Sequence, residues 1–456
     1  MHARYGGVFA IGCAHSGGTW VGQPEMTVLL RYMGGVRPGA GLESPATMRR
    51  RWLAGIFAFS VTWAILVAVF STDHVHQLWG MMAAVGYGLA LAVVVVLRHT
   101  RTADIALGLA FLGGLLVPLG WLAAHSDAAV GRGLLQPEVA VVAQSGISLI
   151  HHGTPYTDAA VLAGTQNPDA YNPYLPVMAL FGLPRAFFDL GLLTDPRIWF
   201  GVVFLVIFWL ALRHAGARDP GRWTILVAAT PVIAFELAVG GTDVPMVAFL
   251  CLGFAFLWER KPVLAGLALG VGASMKATAW PALLVAVALL AVRDGKRAVS
   301  NFTLTALAVV AVCVGPFVVA HPRALVENTI MFPLGLASVK SAARSPLPGY
   351  LISSTWPHTG HTIVVVLLVL AGLAVGASLV FKPPRSVPRA VVLLAGAMTL
   401  MFVLAPSTRF GYFIYPAGLA IWLLAVWVGR RADKDELGEI SVGFLPARVP
   451  EGPPAT

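Results

Sequence analysis

Several carboxylates of this chain could act as a general base. Glu138 opens the stretch 138–151, in which apolar residues recur at helical spacing. A carboxylate at this position stabilises the helix dipole. It can also accept a proton if partial desolvation at a membrane surface raises its pKa toward the working pH. Asp127, Asp158 and Asp169 are alternative bases in the same segment. The residue types therefore indicate a proton-transfer reaction but do not decide which carboxylate is the base.

Basic residues near the ends of apolar segments are candidates for binding an anion. Lys276 interrupts a long apolar run, and a charge at the bilayer centre costs roughly 2.5–3.5 kcal/mol. Near the end of a span its ammonium can reach water at lower cost; otherwise we expect it to bind an anion, such as a lipid phosphate at the interface. Arg409 precedes an aromatic run and is either an interfacial anchor or a phosphate ligand. Arg344 adds positive charge to the loop 321–361, and Glu236 could pair with Lys276.

Polar and aromatic residues near these candidates could support the site. His151 and His152 are adjacent, so their side chains point in different directions on a helix, and we do not expect a metal site there. Tyr156 and Tyr171 lie in proline-containing turns and suit the aromatic belt of a membrane interface. Asp243 closes a Gly-Gly-Thr-Asp turn. No Walker motif, glycine-rich phosphate cradle or zinc signature occurs, so we expect no tightly bound cofactor and no metal.

The elements that position these residues must be membrane helices. Of the 456 residues, 57% are hydrophobic and 11% are charged, against about 25% charged in soluble domains. A span needs about 20 mostly apolar residues. The segments that meet or approach this requirement are 53–70, 79–97, 105–124, 198–213, 223–239, 244–258, 303–320, 362–381, 390–404 and 411–428, together with 263–292, which reads as two short helices meeting at Lys276. The prediction is an all-α, polytopic transmembrane helical bundle of about 12 spans.

The basic residues predict how this bundle is oriented. The net charge is +10, and most of the 31 basic residues lie in seven clusters between apolar segments, the pattern of cytoplasmic loops rather than of nucleic-acid binding. All seven share one side if 174–197 does not make a complete crossing. This arrangement places the helical loops 125–173 and 321–361 outside a plasma membrane and both termini in the cytoplasm.

The same segments predict how the chain is organised. Residues 1–51 read as a loose cytoplasmic tail, and 52–104 as two additional N-terminal spans. Residues 105–428 form the transmembrane core with its two outer loops, and 429–456 form a second cytoplasmic tail.

The order of the motifs resembles that of GT-C glycosyltransferases, most closely the actinobacterial polyprenyl-phosphate-mannose-dependent α-mannosyltransferases. An acid after an early span precedes a helix that ends in Gly-Thr-Pro-Tyr at 153–156, and a Tyr-x-Pro element at 171–173 leads back into the membrane. The Gly-Gly turn at 240–241, the helix 262–276 that ends in lysine, and the late turn 405–412 are similar to further motifs of that family. Two departures are Glu138, where the family usually has Asp, and Tyr-Asn-Pro-Tyr where it has Tyr-Pro-Pro.

The resemblance implies an inverting transfer of a sugar, mannose in those relatives, from polyprenyl phosphate to a cell-envelope glycolipid or polysaccharide. Glu138, with Asp127 as the rival, would deprotonate the acceptor hydroxyl. Lys276, Arg409 and Arg344 would stabilise the departing phosphate. The lipid-linked donor is a substrate, and membrane lipids are partners. The alternative is a transporter or lipid flippase, since these also use broken helices and intramembrane charges; a non-catalytic scaffold of the cell envelope is the third reading.

Overall fold

The structure, a computed structural model, describes residues 45–443 except 98, 189 and 357, with side chains from Arg50 to Val428. Most of the predicted tails, 1–51 and 429–456, therefore lies outside the described residues. The described parts of these tails belong to the first and last helices. The chain divides into two units, Met1–Arg51 and Trp52–Thr456, and the site lies in the second.

Most of the described part of the second unit is helical, which confirms the predicted all-α, polytopic bundle. The α-helices in chain order are α1 Pro45–Phe70, α2 His74–Val96, α3 Thr102–Phe111, α4 Val117–Ala124, α5 Pro137–His152, α6 Ala159–Ala163, α7 Leu183–Phe187, α8 Pro196–His214, α9 Pro220–Ala228, α10 Pro231–Val239, α11 Val244–Trp258, α12 Pro262–Ala273, α13 Trp280–Arg293, α14 Lys296–Ala320, α15 Pro322–Val326, α16 Pro348–Thr355, α17 Gly360–Phe381, α18 Val387–Leu404 and α19 Ile414–Gly443. Short 3-10 or π segments occupy Leu112–Leu116, Pro168–Ala170, Pro176–Gly182, Gly191–Thr194, Ala277–Ala279, Glu327–Met331 and Phe410–Phe413. Two short antiparallel strands, β1 Ser126–Asp127 and β2 Arg132–Gly133, complete the elements. Many of the helices begin with proline, whose fixed φ and missing N–H suit the first turn.

Among the described residues, eight helical segments are long and apolar enough to cross a membrane, and they coincide with eight of the twelve predicted spans. A ninth, formed by α9 and α10, is bent by 67° where Pro231 starts the second helix. The remaining three, α11 to α13, have 15, 12 and 14 residues, fewer than the roughly 20 of a full span. They are short because the chain leaves helical geometry at 240–243 and 274–279. The run 174–190 forms the short apolar segment Pro176–Phe187, which by length does not cross alone.

The centre of the bundle is α11, most of whose residues are buried. A helix that is apolar all round needs partners on every side, and α11 packs on α8 and α12. Helix α12 in turn approaches α14 closely through Gly266 and Gly270. A Cβ added at Gly266 would lie 2.6 Å from the carbonyl oxygen of Phe302. This small-residue spacing is the common device for close helix packing in membranes.

One buried arginine ties together the segments that lead into the polar end of the bundle. Arg197, with no exposed side-chain surface, donates from Nη2 to Asp195 Oδ2 at 2.8 Å. Its Nη1 donates to the carbonyl oxygens of Leu134 at 2.9 Å and Ala238 at 3.2 Å. The first carbonyl precedes α5 and the second lies at the end of α10. The guanidinium thus joins the start of one site-bearing helix to the end of another.

We expect Arg197→Met to lower the free energy of unfolding by roughly 3–5 kcal/mol, because it leaves the buried Asp195 carboxylate unpaired. The measurement is the midpoint of thermal unfolding of the full chain in detergent. The control is Arg222→Gln, which removes a pair with Asp104 whose side chains are 38% and 63% exposed, and whose loss should cost about 1 kcal/mol or less. Equal midpoints for the two variants would contradict the structural role of Arg197.

Candidate functional site

A cavity of about 920 Å³ opens where the breaks in the helices meet. One part of its wall is polar and is built by the turns before α5, α11, α13 and α19. Another part is apolar and is built by faces of α13, α17 and α18. The ionisable residues that line it are His76, Glu138, Asp169, Glu236, Asp243, Lys276 and Arg409, with the phenols of Tyr171, Tyr174 and Tyr412.

Lys276 occupies the break between α12 and the next 3-10 turn, in extended backbone. Its Nζ donates to Asp243 Oδ1 at 2.8 Å, and both side chains are 11% exposed. The ammonium also lies 5.4 Å from the ring centroid of Tyr174 and 4.8 Å from that of Tyr412, within the range of cation–π attraction. The pairing of Lys276 with Glu236 suggested by the sequence is corrected, because the turn before α11 brings Asp243 to the ammonium.

Arg409 forms the second ion pair of the cavity. Its Nη1 lies 2.5 Å from Glu138 Oε1. The other carboxylate oxygen of Glu138 is buried and has no hydrogen-bond partner in the described part of the chain. Arg409 is held in extended backbone between Thr408, whose carbonyl oxygen accepts from Ser345 N, and Phe410, whose N–H donates to Ser345 Oγ. Glu138 sits in the first turn of α5, where the helix dipole also favours a negative charge.

Buried tyrosines fix the turn that re-enters the bundle. The hydroxyl of Tyr174 lies 3.0 Å from Thr242 Oγ1, and Tyr156 donates to the carbonyl oxygen of Tyr174 at 3.1 Å. Burial raises the pKa of both phenols, so they stay protonated and can donate. Tyr171 stacks on Phe332 with ring centroids 4.4 Å apart. These contacts hold the segment 171–176 against the turn that carries Asp243.

The turns at Gly241 and Gly411 both lie close to Glu236, and glycine is required at Gly241, where the nearest atoms belong to the backbone. A Cβ at Gly241 would approach the carbonyl oxygen of Glu236 to 2.6 Å, and one at Gly411 would approach its Oε1 to 2.7 Å. The N–H of Gly241 also donates to that carbonyl. The carboxylate of Glu236 therefore reaches the cavity wall between these two turns.

The sequence-derived site residues divide into two groups. Glu138, Tyr171, Glu236, Asp243, Lys276 and Arg409, which are far apart in the sequence, all line the cavity, and so does Asp169. The others do not line it: Asp127 pairs with Arg185 at 2.9 Å, Asp158 caps α6, Arg344 is exposed, His151 and His152 are exposed with ring centroids 6.5 Å apart, and Tyr156 acts through Tyr174.

Three residues of the site region were missed by the sequence analysis. His76 lines the cavity from α2, Gln136 lines it just before α5, and Thr278 lines it with its hydroxyl 3.0 Å from that of Tyr415. The signal for His76 was a polar residue immediately before the apolar run 79–97. It was passed over because polar residues commonly flank a span.

The apolar part of the wall follows one face of α17. Its members recur at helical spacing and are Leu368, Ala371, Gly372, Val375, Gly376 and Leu379. Opposite them lie Met398 and Met401 of α18 and Leu284 of α13. A Cβ added at Gly372 or Gly376 would meet no atom within 4 Å. The cavity thus extends from the charged end as an apolar groove, which we call the α17 groove.

Within the described residues, no group of three or more His, Cys, Asp and Glu side chains is arranged to hold a metal ion.

Comparison with known proteins adds one match. The sequence model of glycosyltransferase family 87 matches residues 172–406, just over half of the chain. No curated protein and no solved structure matches this chain. Glu236, Asp243 and Lys276 lie inside the matched part, whereas His76, Gln136, Glu138 and Arg409 lie outside it.

Proposed function

We propose that this chain, which belongs to glycosyltransferase family 87, moves a sugar from a polyprenyl-phosphate donor to a hydroxyl of a cell-envelope glycolipid or polysaccharide. Membership of the family makes the chain a membrane glycosyltransferase, the class indicated by its sequence. The donor, the acceptor, mannose as the sugar and inversion at the anomeric carbon are our proposal. The observation that carries it is the junction of paired charges with the α17 groove in one cavity.

The donor is proposed to place its phosphate between Lys276 and Arg409. Both cations line the cavity, and Arg409 can bind phosphate oxygens with two parallel hydrogen bonds. Each cation is already paired with a carboxylate, so an arriving phosphate competes with Glu138 for the guanidinium. Donor binding would therefore release the Glu138 carboxylate at the moment when a base is needed.

The reaction that follows uses the released carboxylate. Glu138 takes the proton of the acceptor hydroxyl, whose oxygen forms a bond to the anomeric carbon as the bond from that carbon to the phosphate oxygen breaks. The electron pair of that bond leaves with polyprenyl phosphate. Lys276 and Arg409 stabilise the negative charge that develops there. Asp127 is less suited to the role, because it is bound to Arg185 outside the cavity.

The α17 groove is proposed to bind the first isoprene units of the donor. Its wall is apolar, and burial of each methylene group contributes about 0.8 kcal/mol. A transporter or flippase was the other reading of the sequence, and family membership favours the transferase. We further propose a plasma-membrane location with both termini cytoplasmic and the cavity at the outer face, in accord with the seven basic clusters.

The central test of this function is substitution of Glu138. Glu138→Gln cannot accept a proton, so we expect the turnover number to fall by about 10²–10⁴. The KM for the donor should not rise, and it should fall if the donor phosphate competes with the Glu138 carboxylate for Arg409. Glu138→Asp should keep partial activity, and the matched control Asp127→Asn should stay near wild type. The assay is transfer from radiolabelled polyprenyl-phosphate-mannose in membranes that express each variant. Near-normal transfer by Glu138→Gln would remove Glu138 as the base.

The α17 groove is tested by filling it. Gly376→Leu introduces a side chain into open space and should raise the KM for a long-chain donor by about tenfold, the effect of losing roughly two buried methylenes. The KM for a donor with a short chain should change little. Gly396→Leu on α18 is the control, because a Cβ there also meets no atom and the residue lies outside the cavity lining. Equal KM values for the long-chain donor in the wild type, Gly376→Leu and Gly396→Leu would exclude the groove as the lipid site.

The orientation is tested by cysteine labelling in intact cells. We expect cysteines at Ala159 and Ser341 to react with a membrane-impermeant thiol reagent, because both loops are proposed to be outside. A cysteine at Arg385, in one of the seven basic clusters, should react only after lysis. The reverse pattern would place the cavity at the cytoplasmic face.

A further inference from the structure

The hairpin of α1 and α2 precedes the part of the chain that matches the family, yet it reaches the cavity. His76, in the first turn of α2, lines the cavity wall. Its ring packs edge-on against Phe235 of α10, with centroids 4.9 Å apart. The hairpin is anchored to the core at Gly86, where a Cβ would lie 2.5 Å from Gly113 Cα. Close backbone packing at Gly86 thus fixes α2 on the core, and the contact with Phe235 places the His76 ring at the cavity wall.

Both ring nitrogens of His76 are hydrogen-bonded. Nε2 lies 2.7 Å from the side-chain nitrogen of Gln136, and Nδ1 lies 3.1 Å from Ser71 Oγ. With the amide of Gln136 donating to Nε2, the neutral imidazole carries its proton on Nδ1 and donates it to Ser71. Ser71 Oγ also accepts from the N–H of Asp73. The imidazole is thus fixed between the α1–α2 turn and Gln136.

Gln136 transmits this position to the proposed base. It is the N-cap residue of α5, two residues before Glu138, and its N–H donates to the carbonyl oxygen of Val239 at 3.1 Å. Its side chain also borders Gly240, where a Cβ would come within 3.0 Å of Oε1. The Gln136 side chain therefore lies between the start of α5 and the turn after α10, and its hydrogen bond to His76 fixes it there.

We propose that His76 is a positioning residue: through Gln136 it holds the first turn of α5 so that Glu138 faces the acceptor hydroxyl once the donor has taken Arg409. This inference rests on the proposed function. While Arg409 binds Glu138, the ion pair itself orients the carboxylate; after that pair opens, the orientation depends on the backbone of α5. A displacement of about 1 Å at a reacting group can reduce the rate about 10²-fold. The hairpin of α1 and α2 then contributes to catalysis by positioning the base.

The test compares His76→Phe, Gln136→Leu and the double variant in the full-length protein. His76→Phe keeps a ring against Phe235 and loses both nitrogen hydrogen bonds. We expect each single variant to lower kcat by roughly 10- to 100-fold with less than a twofold change in donor KM. The double variant should be no slower than the slower single variant, since both changes break one chain of contacts. His76→Gln, which can bond to Gln136, should recover part of kcat, and His74→Phe, at an exposed position of α2, should behave as wild type.

A second measurement does not depend on the donor. Hydrogen–deuterium exchange of the Gln136 and Val139 amides, which are bonded to the carbonyl oxygens of Val239 and Gln136, should accelerate equally in His76→Phe and Gln136→Leu and stay unchanged in His74→Phe. Unchanged exchange in His76→Phe overturns the proposal whether or not the assay donor is the right one. Normal kcat in His76→Phe, with an active wild-type enzyme, overturns it and leaves the transferase function intact. A wild-type protein that transfers nothing from polyprenyl-phosphate sugars contradicts the proposed function, while the exchange data still decide on His76.

Discussion

The buried pair of Arg197 and Asp195 is the interaction on which the polar end of the bundle depends. A backbone carbonyl that leaves helical geometry inside an apolar bundle must find a donor, because an unsatisfied group costs several kcal/mol there. Arg197 supplies donors to the carbonyl oxygens of Leu134, in the loop before α5, and of Ala238, near the end of α10. Asp195 in turn neutralises the guanidinium and caps α8. The pair therefore satisfies two backbone carbonyl groups in the segments that lead into the site.

The same requirement explains why the cations of the cavity are paired before any substrate arrives. Lys276 lies against Asp243 and two aromatic rings, and Arg409 lies against Glu138. An unpaired charge in a buried position is unfavourable in free energy. In the absence of substrate, both cations are therefore held in ion pairs. Under the proposed function, Arg409 exchanges the Glu138 carboxylate for the donor phosphate, so the phosphate does not meet an unpaired cation. Such an exchange also couples the binding of one substrate to the readiness of the base for the next.

Much of the fold could be predicted from the sequence because long apolar runs are local signals. The eight long spans follow from composition, and the break at Lys276 follows from a charge that an unbroken apolar helix would not accommodate. The contacts of the site could not be predicted in this way. The partner of Lys276 is Asp243 and not the expected Glu236, because the partner depends on the geometry of a glycine turn. His76 could not be told apart from the polar residues that commonly flank a span, because its contact with Gln136, 60 positions away in the chain, is not visible in the sequence.

The α17 groove has a consequence for how the enzyme meets its donor. Under the proposed function, the mouth of the α17 groove faces the bilayer, so the lipid-linked sugar arrives sideways, by diffusion in a plane. Its effective concentration is then a number of molecules per area of membrane and not per volume of buffer. In such a plane inert phospholipid dilutes the donor even when the total amounts of enzyme and donor stay constant. The saturation curve of such an enzyme is a property of the membrane that surrounds it as much as of the protein.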